Sequence, residues 1–250
     1  MLISTTDIIK QSTALYLKHF KQIWAYLIIS LAPAVILAML AFATISLEVN
    51  SITNVTWDDI ILAMLYLIGL LVSFWAYLGL IKTFDQIIKN APIAGVKNNL
   101  NLAGKIILPA IWISFLTGLI TLVGALLFVI PGIIFMVWYH FSLYALVADG
   151  ERGTTAMKMS KNLATNRWWA VLWRLLAPTV LFTVIGGFLQ WLIKQIIFWF
   201  PDISIIQLQI ANGFADRIIG LLILPLLIAT GLILYENLKA NPVNSIPPTV

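Results

Sequence analysis

Four basic side chains follow one another along residues 158–174 at spacings that suit the phosphate groups of membrane lipids. Lys158 and Lys161 are three residues apart, which makes them neighbours on one side of a helix. Arg167 and Arg174 lie two helical turns apart on the next segment, so they share one of its faces. A basic residue near an anionic membrane surface contributes about 1 kcal/mol of binding. We therefore predict that these four residues contact anionic lipid headgroups, with membrane lipids as the partner.

Two plainer explanations of this basic group stay open. The charges would also serve simply to fix the orientation of the chain in the membrane, a role that needs no bound lipid. Arg174 lies within two turns of Trp168, shallow enough for its long side chain to extend to the membrane interface.

Tyr139 and His140 form a second candidate, a polar site inside the membrane. His140 lies near the middle of an apolar stretch, and ionisable residues at that depth usually serve a function. The alternative is a neutral imidazole that hydrogen-bonds Tyr139, Thr117, Thr121 or a backbone carbonyl, and we favour this alternative. The two threonines belong to a stripe of small residues that is typical of close helix packing.

The composition offers little for catalysis or metal binding. The chain has no cysteine and two histidines, and its carboxylates all lie near the ends of apolar stretches. A histidine-based metal site would need carboxylates beside it, and no motif of a hydrolase, metalloprotease or nucleotide-binding protein occurs. We therefore expect no enzyme activity, metal, cofactor or nucleic-acid partner. The lack of embedded acidic residues also argues against an ion-coupled transporter.

These candidates must be positioned by membrane helices. Hydrophobic residues make up 61% of the 250 residues and charged residues only 10%, against about a quarter charged in soluble domains. A soluble core of this size could not bury so much apolar surface. The sequence therefore predicts an all-α, polytopic membrane protein. Its six-span domain covers residues 1–241, and a disordered tail covers 242–250.

Six apolar stretches come close to the roughly 20 residues that a membrane span needs. An uncharged run from residue 106 to 148 would form a helix about 65 Å long, so it must fold back. Pro131-Gly132 is the predicted break within it. The predicted spans are 23–47, 60–81, 106–129, 132–147, 168–192 and 218–235.

The basic residues predict how the spans are oriented. With the N-terminus inside, 13 of the 15 Lys and Arg residues lie on the inner side, and only Lys194 and Arg217 lie outside. This asymmetry predicts a protein of the cell membrane with both termini cytoplasmic. A signal peptide ending at Ala41-Phe42-Ala43 is the alternative for the first span, but the apolar stretch is longer than a typical signal core.

Segments with apolar residues at helical spacing precede the three odd-numbered spans. They lie at 7–21, 92–104 and 154–167, and we predict three cytoplasmic amphipathic helices on the membrane surface. Pro92 would open the second helix and Gly104 would end it.

A proline recurs early in each odd-numbered span, at Pro33, Pro109 and Pro178. This recurrence predicts three parallel repeats, each a surface helix followed by a transmembrane hairpin. The alternative is coincidence, because prolines are common in membrane helices.

The stretch from Ile130 to Trp173 carries a more specific pattern. Ile130-Pro131-Gly132 opens a span, Asp149-Gly150 closes it, and a helix with Ala156, Lys158 and Ser160 leads to Asn166-Arg167-Trp168-Trp169. This pattern resembles the six-span membrane domain attached to some glycerophosphodiester phosphodiesterases and found in related stand-alone prokaryotic membrane proteins. The resemblance implies a membrane module concerned with lipids or with organising partners. The catalytic barrel of those enzymes is absent, so no catalytic residue is carried over.

Two functions follow as expectations. The first is a non-enzymatic integral membrane module that interacts with lipid or scaffolds partner proteins. The alternative is a small permease or channel. A polar cavity reaching the middle of the membrane would favour the alternative, and a dry core with basic inner clefts would favour the module.

Overall fold

The computed structural model describes residues 2–45, 57–199 and 205–242. These residues form α-helices and no β-strand, which confirms the predicted all-α fold. The helices of this described part are α1 (Thr5–Lys18), α2 (Phe20–Ile45), α3 (Trp57–Ile88), α4 (Val96–Leu127), α5 (Val129–Tyr139), α6 (Ser142–Asp149), α7 (Thr154–Ala164), α8 (Trp168–Phe198) and α9 (Ile205–Ala240). Apart from Pro242, the tail predicted over 242–250 lies outside the described residues.

Six segments are long and apolar enough to cross a membrane, which confirms the predicted number of spans and a multi-pass membrane protein. α5 and α6 together make the fourth of them. The six segments are Phe20–Leu37, Ile60–Ile88, Val96–Leu127, Val129–Asp149, Trp168–Ile197 and Gln207–Ala240.

The second predicted surface helix is not separate, and this expectation was wrong. α4 begins at Val96 and continues through Gly104 to Leu127 without a break. A glycine inside a helix costs only about 1 kcal/mol. Packing outweighs that cost, because Leu100 is buried and its carbonyl accepts a hydrogen bond from Trp75 Nε1 at 2.7 Å.

The turn between the third and fourth spans also differs from its prediction. The chain reverses at Phe128, which has an extended backbone, and α5 begins before Pro131 rather than after it. Proline is tolerated there because the first turn of a helix leaves its N–H groups unpaired. Gly132 has a different role: a Cβ on it would lie 2.8 Å from the Cα of Ala125. At Gly132 the backbones of α4 and α5 are in close contact.

The fourth span, predicted as one helix, is broken at His140-Phe141. Ser160 of α7 reaches into the break with a side chain that is fully buried. Its Oγ accepts a hydrogen bond from the Phe141 N–H at 3.0 Å and donates one to the Trp138 carbonyl at 2.6 Å. The break therefore leaves these two backbone groups paired with a side chain, as buried backbone groups require.

The core gathers around the C-terminal half of α9, which packs against α1, α2, α3 and α8. The buried aromatic rings of Phe141, Tyr144 and Tyr235 stack there, with centroids 5.9–6.3 Å apart. The N-terminal segment joins α9 through a 3.0 Å hydrogen bond from the Ile3 N–H to Asn237 Oδ1. We call this end of the bundle the terminal end and the opposite one the far end.

Candidate functional site

The two arginines of the predicted headgroup site bind backbone carbonyls. Arg167 donates to the carbonyl of Leu238 at 3.0 Å and to that of Asn241, both at the end of α9. Arg174 donates to the carbonyl of Ile3 at 2.7 Å. Both guanidinium groups are part-buried and join α8 to the N-terminal segment and to the end of α9. Arg167 thereby binds carbonyls that the end of α9 leaves unpaired.

The two lysines lie on α7 and differ in exposure, with Lys161 half-buried. Lys158 is exposed, and Lys161 Nζ lies 4.5 Å from the centroid of the Trp138 ring, close enough for a cation–π contact. The opposite side of α7 is buried through Ala156, Ser160 and Ala164. The four predicted residues therefore have two roles. The two arginines hold segments of the fold together, and the two lysines lie on helix α7.

Tyr139 and His140, the residues of the predicted intramembrane polar site, both line one groove. The groove lies between α4 and the broken fourth span and has a volume of about 520 Å³. His140 meets Phe141 edge-on at 5.2 Å between ring centroids. Within the described residues, the structure shows no hydrogen bond from its imidazole to the groove's hydroxyl groups. Those hydroxyls belong to Ser114, Thr117, Thr121, Tyr139 and Ser142.

Two of these hydroxyls lack partners. Ser114 Oγ and Ser142 Oγ are buried and make no hydrogen bond within the described part of the chain. A buried hydroxyl without a partner costs about 1–3 kcal/mol. The groove therefore has a capacity for hydrogen bonding that its own side chains leave unused.

A charged cluster at the terminal end was missed by the sequence reasoning. Asp85 is its centre: the residue is only 3% exposed, and its carboxylate lies 3.1 Å from Lys82 Nζ and 2.6 Å from Lys89 Nζ. Lys239 Nζ lies 2.7 Å from Asp149, whose carboxylate also accepts a hydrogen bond from the Tyr235 hydroxyl. We call these residues, with Glu236, the terminal charge cluster.

Lys89 links the two halves of the terminal charge cluster, since it lies 3.8 Å from Asp149 and 3.5 Å from Glu236. Burial by itself would lower the pKa of Lys89. The hydrogen bond and charge of Asp85, together with Glu236 and Asp149, outweigh burial and raise it. Paired in this way, the cluster stabilises the junction of α3, α6 and α9.

Helical spacing was the signal available for the terminal charge cluster. Lys82, Asp85 and Lys89 are three and four residues apart, and Glu236 and Lys239 are three apart, which are the spacings of intrahelical ion pairs. From the sequence, the three lysines were expected only to orient the chain in the membrane. The contact with Asp149 could not be read from spacing, because it joins distant parts of the chain.

A buried amide network lies next to the terminal charge cluster and was also missed. Asn99 is fully buried and donates to Thr83 Oγ1 at 2.9 Å and to Gln86 Oε1 at 3.0 Å. The Tyr26 hydroxyl lies 2.7 Å from the same Thr83 oxygen. These bonds tie α2, α3 and α4 together with their polar groups paired, as a satisfied buried network requires.

The described residues contain no group of three or more His, Asp and Glu side chains placed to hold a metal ion. In comparisons with protein-family models, curated proteins and solved structures, no match to the chain is found. The resemblance to the membrane domain of glycerophosphodiester phosphodiesterases therefore stays a prediction.

Proposed function

We propose that this chain is a non-enzymatic integral membrane protein that binds anionic lipid at its terminal end through Lys158 and Lys161. The observation that carries the proposal is the way α7 packs against the fourth span. One side of this helix is fixed on the broken fourth span by the buried Ser160, while Lys158 is exposed and Lys161 lies at the edge of the contact, beside Trp138. Lysines next to a membrane span attract anionic headgroups.

Neighbouring tryptophans support a position of α7 at headgroup depth. Trp169 and Trp173, near the start of α8, are about half exposed. Tryptophan is enriched where the hydrocarbon meets the headgroups. Because α7 ends only four residues before α8 begins, its lysines lie near the same level.

Arg167 and Arg174 act indirectly in this proposal. Their hydrogen bonds to the carbonyls of Leu238, Asn241 and Ile3 hold the chain ends against α8. They position the terminal end on which α7 rests, and the lysines make the lipid contacts.

The proposal places the terminal end in the cytoplasm, in agreement with the excess of basic residues there. A cysteine introduced as Asn162→Cys on α7 should be protected from an impermeant thiol reagent in intact cells. One introduced as Gln195→Cys, near the far end of α8, should react. Labelling of the first cysteine and protection of the second would show that the chain has the opposite orientation. The absence of native cysteine leaves no background.

A threefold repeat belongs to the same proposal. The hairpins α2–α3, α4–α5 and α8–α9 each pack closely, and α1 and α7 precede the first and third as surface helices. Prolines occur inside α2, α4 and α8, but also inside α9 at Pro225, so proline alone does not define the repeat. A common lipid-related module would also account for the resemblance to the phosphodiesterase membrane domain.

Lipid binding is tested by native mass spectrometry of the detergent-solubilised protein titrated with phosphatidylglycerol. The Lys158→Gln/Lys161→Gln variant should bind this lipid about 30-fold more weakly, since each lysine contributes about 1 kcal/mol. Added salt should weaken binding by the parent chain. Lys97→Gln/Lys105→Gln is the matched control, because it removes the same charge from exposed positions of α4. Equal affinity of the parent and the α7 variant would refute the proposal.

A small permease or channel is the second candidate, and the groove at His140 is the observation that favours it. The unpaired hydroxyls of Ser114 and Ser142 could bind a polar solute there. Proteoliposomes should then pass protons or glycerol faster than protein-free vesicles, and His140→Phe should abolish the difference. Equal permeability with and without protein would exclude this function for those solutes.

A further inference from the structure

A crevice at the far end separates the α2–α3 hairpin from the first half of α9. It consists of two adjoining cavities of about 660 and 360 Å³, and Leu70, Gly213 and Arg217 line both. A Cβ placed on Gly213 would meet nothing within 4 Å. The crevice therefore has room for a ligand next to an arginine side chain.

Arg217 has few partners for a charged residue within a membrane segment. Its guanidinium donates one hydrogen bond, to Ser73 Oγ at 3.4 Å. The adjacent carboxylate, Asp216, instead lies 3.2 Å from Lys194 on α8. Among the described residues, no acidic side chain forms an ion pair with Arg217.

The position of Ser73 shows how deep this guanidinium lies. Ser73 is twelve residues from Asp85 on α3, which is about 18 Å along a helix. A charged side chain so far from the terminal charge cluster is costly unless it is paired or hydrated. Arginine stays charged in proteins, and the Arg217 side chain is exposed, so an anion bound in the crevice would supply the missing partner.

We propose that this crevice binds one anionic phospholipid, with its phosphate on Arg217. The planar guanidinium matches a phosphate with two parallel hydrogen bonds. Lys194, Asp216 and Arg217 carry one net positive charge together, which a monoanionic headgroup neutralises. Leucine and phenylalanine side chains of the crevice, those of Leu70, Phe74, Leu221 and Leu224, line the path of an acyl chain.

The surroundings of the crevice favour a lipid over a soluble anion. Leu67 on α3 and Ile218 and Leu222 on α9 expose about 40–60% of their surface beside it. Large exposed apolar side chains on a membrane segment face acyl chains, so the crevice is reached from the bilayer. This site lies at the opposite end of the bundle from α7, and it does not depend on the proposed function.

The binding test uses the Lys158→Gln/Lys161→Gln chain as background, so that α7 does not contribute. In native mass spectrometry, Arg217→Gln should bind phosphatidylglycerol at least about tenfold more weakly, because a charge-assisted hydrogen bond contributes about 1.5–3 kcal/mol. Arg217→Lys keeps the charge without the paired donors, and binding should weaken by a few-fold. Arg152→Gln is the matched control at the terminal end, where Arg152 is exposed, and its binding should not change.

A second pair of variants separates the contribution of the crevice's space from that of the Arg217 charge. Gly213→Leu fills the crevice and keeps Arg217, so it should reduce binding as much as Arg217→Gln. Gly187→Leu on α8 is the matched control, since a Cβ at Gly187 also meets nothing within 4 Å, and its affinity should be that of the background.

Inorganic phosphate and phosphatidylcholine are the remaining probes. The proposal predicts little binding of either, because the first lacks an acyl chain and the second carries no net charge. Phosphate binding as tight as that of phosphatidylglycerol would mean that the site takes a soluble anion and not a lipid. Unchanged affinity in both Arg217→Gln and Gly213→Leu would overturn the site itself.

Discussion

The terminal and far ends of this bundle treat polar side chains in opposite ways. At the terminal end, Asp85 is buried between two lysines, and Asn99 has a hydrogen-bond partner at each end of its amide. At the far end, Lys194 and Asp216 pair while each keeps over 40% of its side-chain surface exposed, and Arg217 has one hydroxyl partner within the described part of the chain.

The difference between the ends follows from packing. The C-terminal half of α9 is enclosed by neighbouring helices, and most of the polar groups around it pair within the protein; among the described residues the buried Thr230 hydroxyl is an exception. The first half of α9 borders open crevices, so ligands can supply the missing partners there. The terminal end is therefore where stability is concentrated, and the far end is where substitutions should be tolerated.

Removing a buried charge should produce the largest contrast between the ends. Asp85→Asn leaves Lys82 and Lys89 without their buried counter-charge and should cost about 2–3 kcal/mol. This is less than a fully buried pair would lose, because both lysines are partly exposed. Asp216→Asn should cost under about 1 kcal/mol. Thermal unfolding in detergent, followed by tryptophan fluorescence, measures both, and equal losses would contradict the comparison.

Two glycines of α9 test the difference in packing on a single helix. A Cβ on Gly231 would lie 2.8 Å from Cζ of the buried Tyr144, so Gly231→Ala should cost about 2 kcal/mol through overpacking. A Cβ on Gly220 meets nothing within 4 Å, and Gly220→Ala should be neutral or stabilising by up to about 1 kcal/mol. Melting temperatures that fall together would show that both halves are equally packed.

Two buried serines sharpen the contrast between paired and unpaired groups. Ser160→Ala removes both hydrogen bonds at the break of the fourth span and should cost about 1–2 kcal/mol. Ser142→Ala removes a buried hydroxyl that has no partner among the described residues, so stability should rise by up to about 1–3 kcal/mol. The same unfolding measurement applies, and a loss of stability in Ser142→Ala would reveal a partner in the groove.

The smallest effect should be the pH dependence that Lys89 contributes. Its pKa is raised above the ordinary 10.5, so the protonated side chain stabilises the fold below that pH. This stability is lost as the pH rises through the raised value. The difference in melting temperature between the parent and Lys89→Gln should therefore be constant up to about pH 10 and shrink above it. A difference that persists undiminished at higher pH would mean that Lys89 acts through packing alone.

The spans were predictable because they depend on local composition. Long uncharged stretches such as 106–148 are stable only inside a membrane. The number of spans follows from the length of helix that one crossing needs. The break at His140 was not predictable, because it depends on Ser160 in a different helix. The continuity of α4 through Gly104 depends in the same way on packing that helix propensity does not record.

The candidate site was predictable only in part. Tyr139 and His140 lie in one groove, but their adjacency in the sequence did not require it, because neighbouring helical side chains point in different directions. The arginines were expected at lipid headgroups, yet Arg174 binds Ile3, which is 171 residues away in sequence. No spacing rule reaches that far. Arg217 was counted only as an outer charge, because its crevice is formed by helices that the sequence does not place side by side.

The break in the fourth span constrains the order in which this protein is completed during synthesis. The N–H of Phe141 finds its partner in Ser160, a residue that leaves the ribosome 19 positions later. A buried backbone N–H without a partner is costly, so the break is incomplete with α5 and α6 alone. The broken span reaches its final geometry only once α7 has been synthesised and has docked on it.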